Sequence, residues 1–309
     1  MPVASPQTET RRWTLELSDG RRLTLDARPG RARVMGIVNV TPDSFSDGGR
    51  FLDPRRAVDQ ALALADAGAD LLDLGAESTR PGGGVYGAGA AAVAADEEWR
   101  RLEPVLAALR PQTALPVSVD TRKGEVARRA LATGADLVND VSALADPALA
   151  DAVAAAGCPV VLMHSRGETA TMQRQAVYGD AAAEVGDELA AALARAEAAG
   201  IDRRQTLLDP GLGFAKTAAQ SLLLLARLDL LAALGRPLVV GASRKSFLGA
   251  VSGVEEPARR LACSLAAAQW ASGRGAAVLR VHDVAATVEA LAVLRALTAA
   301  EGEAAEAAR

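Results

Sequence analysis

Pro116-Val-Ser-Val-Asp-Thr-Arg-Lys-Gly-Glu-Val-Ala-Arg-Arg-Ala-Leu-Ala-Thr-Gly-Ala-Asp-Leu-Val-Asn-Asp140 is the stretch whose pattern decides the fold. A short β-branched run, 116–119, ends in the polar cluster Asp120-Thr-Arg122. An alanine-rich helical stretch, 123–132, follows. A second short run, 136–138, then ends in Asn139-Asp140. Strand, polar end, helix and strand again make one unit of a parallel sheet, because parallel neighbours need a long crossover connection.

The same theme recurs on both sides. Strand-like runs at 34–38, 70–74, 116–119, 136–138, 159–163, 206–208, 238–240 and 277–281 make eight. Helical runs fall at 54–67, 97–109, 123–132, 147–155, 180–199, 221–234, 257–271 and 284–299. Val185, Leu189 and Leu193 recur every four residues, as one buried helix face requires. Asp53-Pro54 and Asp146-Pro147 read as helix starts. Ahead of the first unit, Trp13–Leu17 and Arg21–Leu25 alternate around Asp19-Gly20, a β-hairpin pattern. Eight successive βα units with buried-type strands predict an α/β fold, a (β/α)8 TIM barrel with an N-terminal β-hairpin. The structural rival is a doubly wound open sheet. That fold usually has fewer strands, and its GxGxxG fingerprint after the first strand is absent here. The chain reads as a single domain over 1–309: a tail at 1–11, the hairpin at 12–26, the barrel at 33–299 and a tail at 300–309. The alanine- and charge-rich end from Ala299 reads as a frayed helix terminus, and 82–95 as a flexible loop.

Composition removes several classes of function. Apolar residues are 50% but aromatics only 3%, so the core must be built from Leu, Val and Ala. The net charge of −4 argues against a general nucleic-acid binder, which needs clustered Lys and Arg. Met1–Arg12 lacks an apolar signal region, and the leucine-rich stretch 221–234 carries Arg227 and Asp229, so neither export nor a membrane span is expected. Cys158 and Cys263 stand far apart with no CxxC, which excludes a cysteine zinc site or disulfide framework and points to a reducing, cytoplasmic setting. No GxSxG elbow places a serine nucleophile.

Nearly every strand-like run ends in polar residues. In chain order these are Asn39; Asp73 with Glu77 and Arg80 beyond it; Asp120; Asn139-Asp140; Met163-His164; Asp209 with Phe214; Gly241 with Ser243, Lys245 and Ser246; and Arg280 with His282 and Asp283. In a barrel these ends share one rim, where such folds place their chemistry. Any one of them reads first as an ordinary turn or cap residue. Asp53, Asp146 and Asp283 read as caps or staples, Asp73 and Asp140 as braces, and His164 as a hydrogen-bonded rim histidine. The whole set resists that account, because caps do not require Lys245, Arg280 and His282. Carboxylates at Asp120 and Asp209 suit paired N–H donors of a flat heterocycle. Arg280, His282, Arg80, Ser243 and Ser246 suit phosphate oxygens, with the cations apart from the acids. Asn39 offers a neutral oxygen for Mg²⁺ held mainly by phosphates and water.

Two long segments carry a family resemblance: Met35-Gly-Ile-Val-Asn-Val-Thr-Pro-Asp-Ser-Phe-Ser-Asp-Gly-Gly49 and Leu74-Gly-Ala-Glu-Ser-Thr-Arg-Pro-Gly82. With Ser118–Thr121, Asn139-Asp140, Met163-His164, Asp209–Phe214, Gly241–Ser246 and Arg280–Val284, in order from about Met35 to Val284, the chain resembles the dihydropteroate synthase family. The resemblance implies a barrel transferase of folate biosynthesis. It would condense 6-hydroxymethyl-7,8-dihydropterin diphosphate with 4-aminobenzoate to give 7,8-dihydropteroate and diphosphate, with Mg²⁺ as cofactor. By similarity, Asp120, Asn139, Asp209 and Lys245 grip the pterin ring, and Met163 and Gly241 pack near it. Asn39, Arg280 and His282 take the diphosphate and its metal, Asn39 as the metal ligand. Thr79, Arg80, Phe214, Lys245 and Ser246 shape the aminobenzoate pocket. The implied catalytic set is Asp120, Lys245, Arg280, His282 and Arg80, and loops 41–50 and 77–84 close over the site. A cytoplasmic homodimer joined through the later helices is implied as well.

Ala76 and Ser165 depart from the glycine and methionine that many members have there; neither removes a carried-over contact. Two other readings stay open: a silent pterin-binding relative, which would have lost a diphosphate ligand, and a barrel methyltransferase that holds methyltetrahydrofolate. The second would keep the pterin acids but has no need of the cationic strand-eight pair.

Overall fold

The computed structural model describes residues 12–41, 53–77, 93–168 and 171–307. A two-stranded antiparallel sheet, β1 (Arg12–Glu16) and β2 (Arg22–Asp26), precedes the body. The body alternates β3 (Arg33–Asn39), α1 (Pro54–Asp66), β4 (Leu71–Gly75), α2 (Ala95–Leu109), β5 (Val117–Asp120), α3 (Gly124–Ala132), β6 (Leu137–Asp140), α4 (Pro147–Ala156), β7 (Val160–Met163) and α5 (Ala181–Ala198). It continues with β8 (Thr206–Asp209), α6 (Ala218–Ala226), α7 (Leu228–Ala232), β9 (Leu238–Val240), α8 (Ser246–Ser252), α9 (Leu261–Gly273), β10 (Ala276–Val281) and α10 (Val284–Ala307). The body's strands, β3 to β10, all pair parallel, and β10 pairs with β3 to close the barrel. The predicted barrel and hairpin are both present, and the open-sheet alternative is excluded by that closure.

Side-chain parity along each strand sorts the residues into two layers. Leu72 and Leu74, Val117 and Val119, Val160 and Leu162 belong to the large cluster packed under the helices. Met35, Leu71, Leu137, Val161, Leu207, Val239 and Val278 form a second cluster inside the barrel. Leu15, Leu17, Leu23 and Leu25 of the hairpin join that inner cluster, so the hairpin plugs the barrel at the end where the strands begin. Ser18 Oγ donates to the Ala135 carbonyl and Gln205 Oε1 accepts from Glu16 N, which fixes the plug in place. The opposite end of each inner column is then polar, because the same parity brings Asp73 above Leu71, Asp120 above Ser118, Asn139 above Leu137, Asp209 above Leu207 and Arg280 above Val278.

Several local expectations change. The run 221–234 is two helices, because Arg227 leaves the helical region (φ −113°, ψ 35°) and pairs with Asp180 at 3.2 Å. The run 257–271 opens with a 3-10 turn, Pro257–Arg259, and the helix proper starts at Leu261. The C-terminal stretch expected to fray at Ala299 instead continues α10 to Ala307. Asp53 and Asp146 cap α1 and α4 through Arg55 N and Ala148 N. Asp283, expected to do the same for α10, gives its carboxylate to Arg244 at 3.0 Å. Most of the loop 82–95 lies outside the described residues. Among those described, no helix is long and apolar enough to cross a membrane.

Leu25 is fully buried between the hairpin and the inner cluster. Leu25→Ala should lower unfolding stability by about 2–5 kcal/mol, read from the urea midpoint, since the cavity it leaves cannot be refilled from solvent.

Candidate active site

The polar ends meet at the mouth opposite the plug. Strand register sets Asn39 beside Gly75, Gly75 beside Asp120, and Asp120 beside Asn139. Arg280 crosses the mouth and ties the set together. Its Nε donates to Asp73 Oδ2 at 2.6 Å and its Nη2 to Asp120 Oδ2 at 2.8 Å. Asn139 Nδ2 donates to the same Asp73 oxygen at 3.2 Å. The second oxygens of both acids, Asp73 Oδ1 and Asp120 Oδ1, are buried with no hydrogen-bond partner among the described residues. A buried carboxylate oxygen without a donor is costly.

Burial pushes the Asp120 carboxyl up to about 7, while the Arg280 guanidinium opposes that rise. Asp209 is also raised by burial, against the pull of Lys245 and of its hydrogen bond from Gly211 N at 2.7 Å. Burial lowers Lys245 to about 8, with Asp209 opposing. Its Nζ donates to the Leu212 carbonyl and lies 4.6 Å from the centre of the Phe214 ring. A Cβ on Gly241 would stand 3.9 Å from both Arg280 Cβ and Asp209 Oδ2, so this glycine leaves open floor between the two charges. Met163 and Phe214 share a small apolar cluster with Val141, Met172 and Ala215 at the same mouth.

His282 and Ser243 adjoin this set. Ser243 Oγ accepts from His282 N at 3.2 Å and lies 3.0 Å from His282 Nδ1. The hydroxyl thus bonds both the backbone and the ring of the histidine. Burial and the neighbouring Arg244 lower His282 to about 4, so it is a neutral donor and not the cation expected. Arg280 differs from expectation too. It is not set apart from the acids but lies between two of them, because a buried guanidinium needs carboxylates within hydrogen-bond reach. Ser246 Oγ, at the start of α8, is buried and unpartnered. Asn39, at the end of β3, is exposed.

The site set thus falls into three groups. Asp120, Asn139, Asp209, Gly241, Lys245 and Arg280 converge on one mouth. Met163 and Phe214 flank it, while Asn39, Ser246 and His282 stand on the same rim. Thr79, Arg80 and most of the two closing loops lie outside the described residues. Asp73, read only as a brace, is an inner-face member of the set. The parity of Leu71-Leu-Asp73-Leu-Gly75, with Leu71 inside, was the available signal. Asp140 lies on the opposite parity and does brace, accepting from Ser142 N at 2.8 Å and from Leu144 N. His164 is buried and hydrogen-bonded, at 2.8 Å from Lys216 Nζ. Lys216 itself was not singled out.

A barrel mouth with paired buried acids, an arginine and a glycine floor is the architecture of an enzyme that binds a flat nitrogen heterocycle. The chain belongs to the pterin-binding enzyme family, whose pattern matches residues 35–282. Within it, the relatives are dihydropteroate synthases. That of Escherichia coli (strain K12) is 45% identical over 87% of this chain and 92% of its own length. A protein of Haloferax volcanii described as a probable bifunctional folylpolyglutamate synthase/dihydropteroate synthase is 48% identical over 84% of this chain, which spans 30% of that longer protein. The structure of Xanthomonas albilineans dihydropteroate synthase with 4-aminobenzoic acid has a TM-score of 0.85 at 51% identity, covering 94% of this chain and 99% of that one. The same enzyme with 7,8-dihydropteroate gives 0.81 at 49% identity, over 93% and 99% of the two chains.

Arg280→Leu should destabilise the fold by about 3–5 kcal/mol at pH 8, because two buried carboxylates lose their counter-charge. Without the arginine the folded-state pKa of Asp120, already raised by burial, rises further above the unfolded one. The penalty should therefore shrink as pH falls toward 5 and the acids take up protons. Urea midpoints of the variant and parent at both pH values test this.

Proposed function

We propose that the chain is a dihydropteroate synthase: it joins 6-hydroxymethyl-7,8-dihydropterin diphosphate to 4-aminobenzoate, releasing diphosphate. The observation that carries this reading is the pair of buried oxygens on Asp73 and Asp120 that have no hydrogen-bond partner among the described residues, on acids joined by Arg280. A pterin ring presents ring N–H and amino donors to such acceptors. Asp120, Asn139, Asp209 and Lys245 hold the ring, with Met163 against it. Phe214, Lys245 and Ser246 receive the aminobenzoate, together with Thr79 and Arg80.

The reaction breaks the bond between the pterin methylene carbon and the diphosphate oxygen, and the oxygen keeps the electron pair. The arylamine nitrogen then forms the new bond to carbon and loses a proton. Negative charge on Asp120 and Asp209 favours the electron-poor pterin fragment. His282 and Arg280 would take up the departing negative charge. No strong general base is required before the methylene carbon turns electrophilic.

Mg²⁺ would be held chiefly by the diphosphate and water, with little from the protein. No group of three or more His, Cys, Asp or Glu among the described residues could hold a metal, and Asn39 supplies one exposed neutral amide at the rim. Such a site suits a hard ion carried in on the diphosphate, whose negative charge it would neutralise, with Asn39 as the protein ligand. A cytoplasmic location accords with two free cysteines, one of them buried. A homodimer accords with the exposed apolar residues Leu223, Val251, Leu261, Trp270, Val293 and Leu297 on α6 and α8–α10.

A coupling assay with both substrates and Mg²⁺, read by diphosphate release, is the direct test; no release with either order of addition would reject the reading. In the same assay Asp209→Ala should weaken pterin binding by about 2–5 kcal/mol, the cost of breaking a buried charged contact. Unchanged affinity would put the pterin elsewhere.

The two perturbed groups also set a pH profile. Asp120 accepts pterin N–H bonds most strongly, and on both oxygens, when ionised, so kcat/KM for the pterin diphosphate should fall as pH drops through about 7. Lys245 is a cation only below about 8, so the rate should fall again above that value. A bell with both limbs is expected from initial rates between pH 5.5 and about 9.5, and Asp120→Asn should remove the acid limb.

A further inference from the structure

The loop after β8 is anchored from two sides. On its outer side Gln173 Nε2 donates to the Gly213 carbonyl at 2.7 Å and Tyr178 Oη to the Ala215 carbonyl at 3.0 Å. On its inner side lies Lys216, 1% exposed, with its amine turned back into the bend. Lys216 Nζ donates to the Phe214 carbonyl at 2.9 Å and lies 2.8 Å from His164 Nδ1. The fit there is close. A Cβ on Gly211 would meet the His164 carbonyl at 1.9 Å, and Gly211 (φ +63°), Gly213 (φ +83°) and Ala215 (φ +47°) all take left-handed backbone. Ala215 has no glycine freedom, so its conformation must be held by neighbours.

We infer that Lys216 is a positioning residue for the aminobenzoate end of the site, fixing Phe214 through its carbonyl against the imidazole of His164. This rests on the proposed synthase reading. The imidazole is itself fixed. Lys216 donates to Nδ1, so the ring proton is on Nε2 and is given to Glu188 Oε2 at 3.0 Å. Glu188 is gripped in turn by Arg166. Burial holds His164 neutral, with its pKa down at about 3, so Nδ1 stays an acceptor at working pH. The ring of Phe214 faces Lys245 Nζ, and Lys245 donates to Leu212 of the same loop. Displacement of Phe214 therefore reaches the second substrate's pocket directly.

The pterin end has hydrogen bonds of its own that do not involve the lysine amine, and Lys216 reaches Asp209 only through its charge. Asp209 is paired with Met163 in the sheet, its carbonyl accepts from His164 N at 2.9 Å, and its side chain accepts from Gly211 N. Loss of the lysine amine should thus separate the two substrates. A merely structural role would instead lower the melting temperature or the active fraction and leave both KM values alone.

The test is Lys216→Met in the full chain, with steady-state diphosphate release measured against each substrate and thermal melting followed alongside. Wild-type turnover decides the synthase reading on its own. Given that turnover, KM for 4-aminobenzoate should rise about tenfold, the loss of one buried hydrogen bond's worth of positioning, while KM for the pterin diphosphate stays within about twofold. Equal change in both values, or a fall in kcat with both unchanged, would overturn the assignment. Should Lys216→Met fail to fold, His164→Gln decides. It removes the imidazole partner and leaves the Phe214 bond, so a rise of about threefold for aminobenzoate alone is expected, and no selective rise rejects the inference.

Discussion

The arrangement at the mouth depends on one guanidinium placed between two carboxylates inside a closed sheet. Asp73 is fully buried and Asp120 nearly so, and each would be expensive to keep ionised alone. Arg280 answers both with one planar group, using Nε for Asp73 and Nη2 for Asp120. That geometry is available only because β10 closes on β3, and β4 and β5 follow β3 in order. The pairing is incomplete in a chemical sense: one oxygen of each acid is buried without a hydrogen-bond donor among the described residues. In the proposed reading those two oxygens are the acceptors for a ligand's donors.

The hairpin makes this possible from the other end. Eight inner columns of alternating residues can fill a barrel only if their lower halves are packed and dry. Leu15, Leu17, Leu23 and Leu25 supply that packing across the strand starts. The inner positions above are then free to be polar. Stability and chemistry divide along the strand axis, within single strands: Leu71 with Asp73, Leu137 with Asn139, Val278 with Arg280.

Much of this could be read without coordinates, and the reasons are local. The βα repeat and the polar strand tips are encoded within a few residues of one another, so the barrel and its functional rim were legible. So was the convergence of Asp120, Asn139 and Asp209, which follows from parity and barrel closure alone. What escaped required knowing distances between strands far apart in sequence. Arg280 was placed with the phosphate donors because its sequence neighbour is His282, whereas its spatial neighbours are Asp73 and Asp120. His282 was taken for a cation because the typical histidine titrates near neutrality, whereas burial beside Arg244 keeps this one neutral. The helix break at Arg227 was hidden because leucine periodicity continues through it, and the cause is a partner, Asp180, on another helix. Lys216 looked like any surface lysine at the end of a glycine-rich loop; nothing in Phe214-Ala-Lys216-Thr reveals that the amine turns inward.

The two ends of the site are built by different means. The acids and Asn139 assigned to the pterin stand on strands or at their last position, where the ladder fixes backbone height and parity fixes direction. Asp120 and Asn139 even share a rung. Phe214 has no ladder. It sits in a bend with repeated left-handed residues, a backbone that is intrinsically reluctant to hold its shape. A side chain there can be aimed only by bonds to its carbonyl and its neighbours, and solvent competes for every such bond made on the outside. An inward bond from a fully buried amine is free of that competition. This accounts for a lysine being carried into the interior at real desolvation cost, in a place where an apolar residue would have filled the space. Burial drives the Lys216 pKa well down, and the cost is offset by its acceptors, Phe214 O, His164 Nδ1 and, at 3.5 Å, His164 O. A loop that must present one aromatic ring accurately can thereby acquire something of the fixity that a strand gives to its residues.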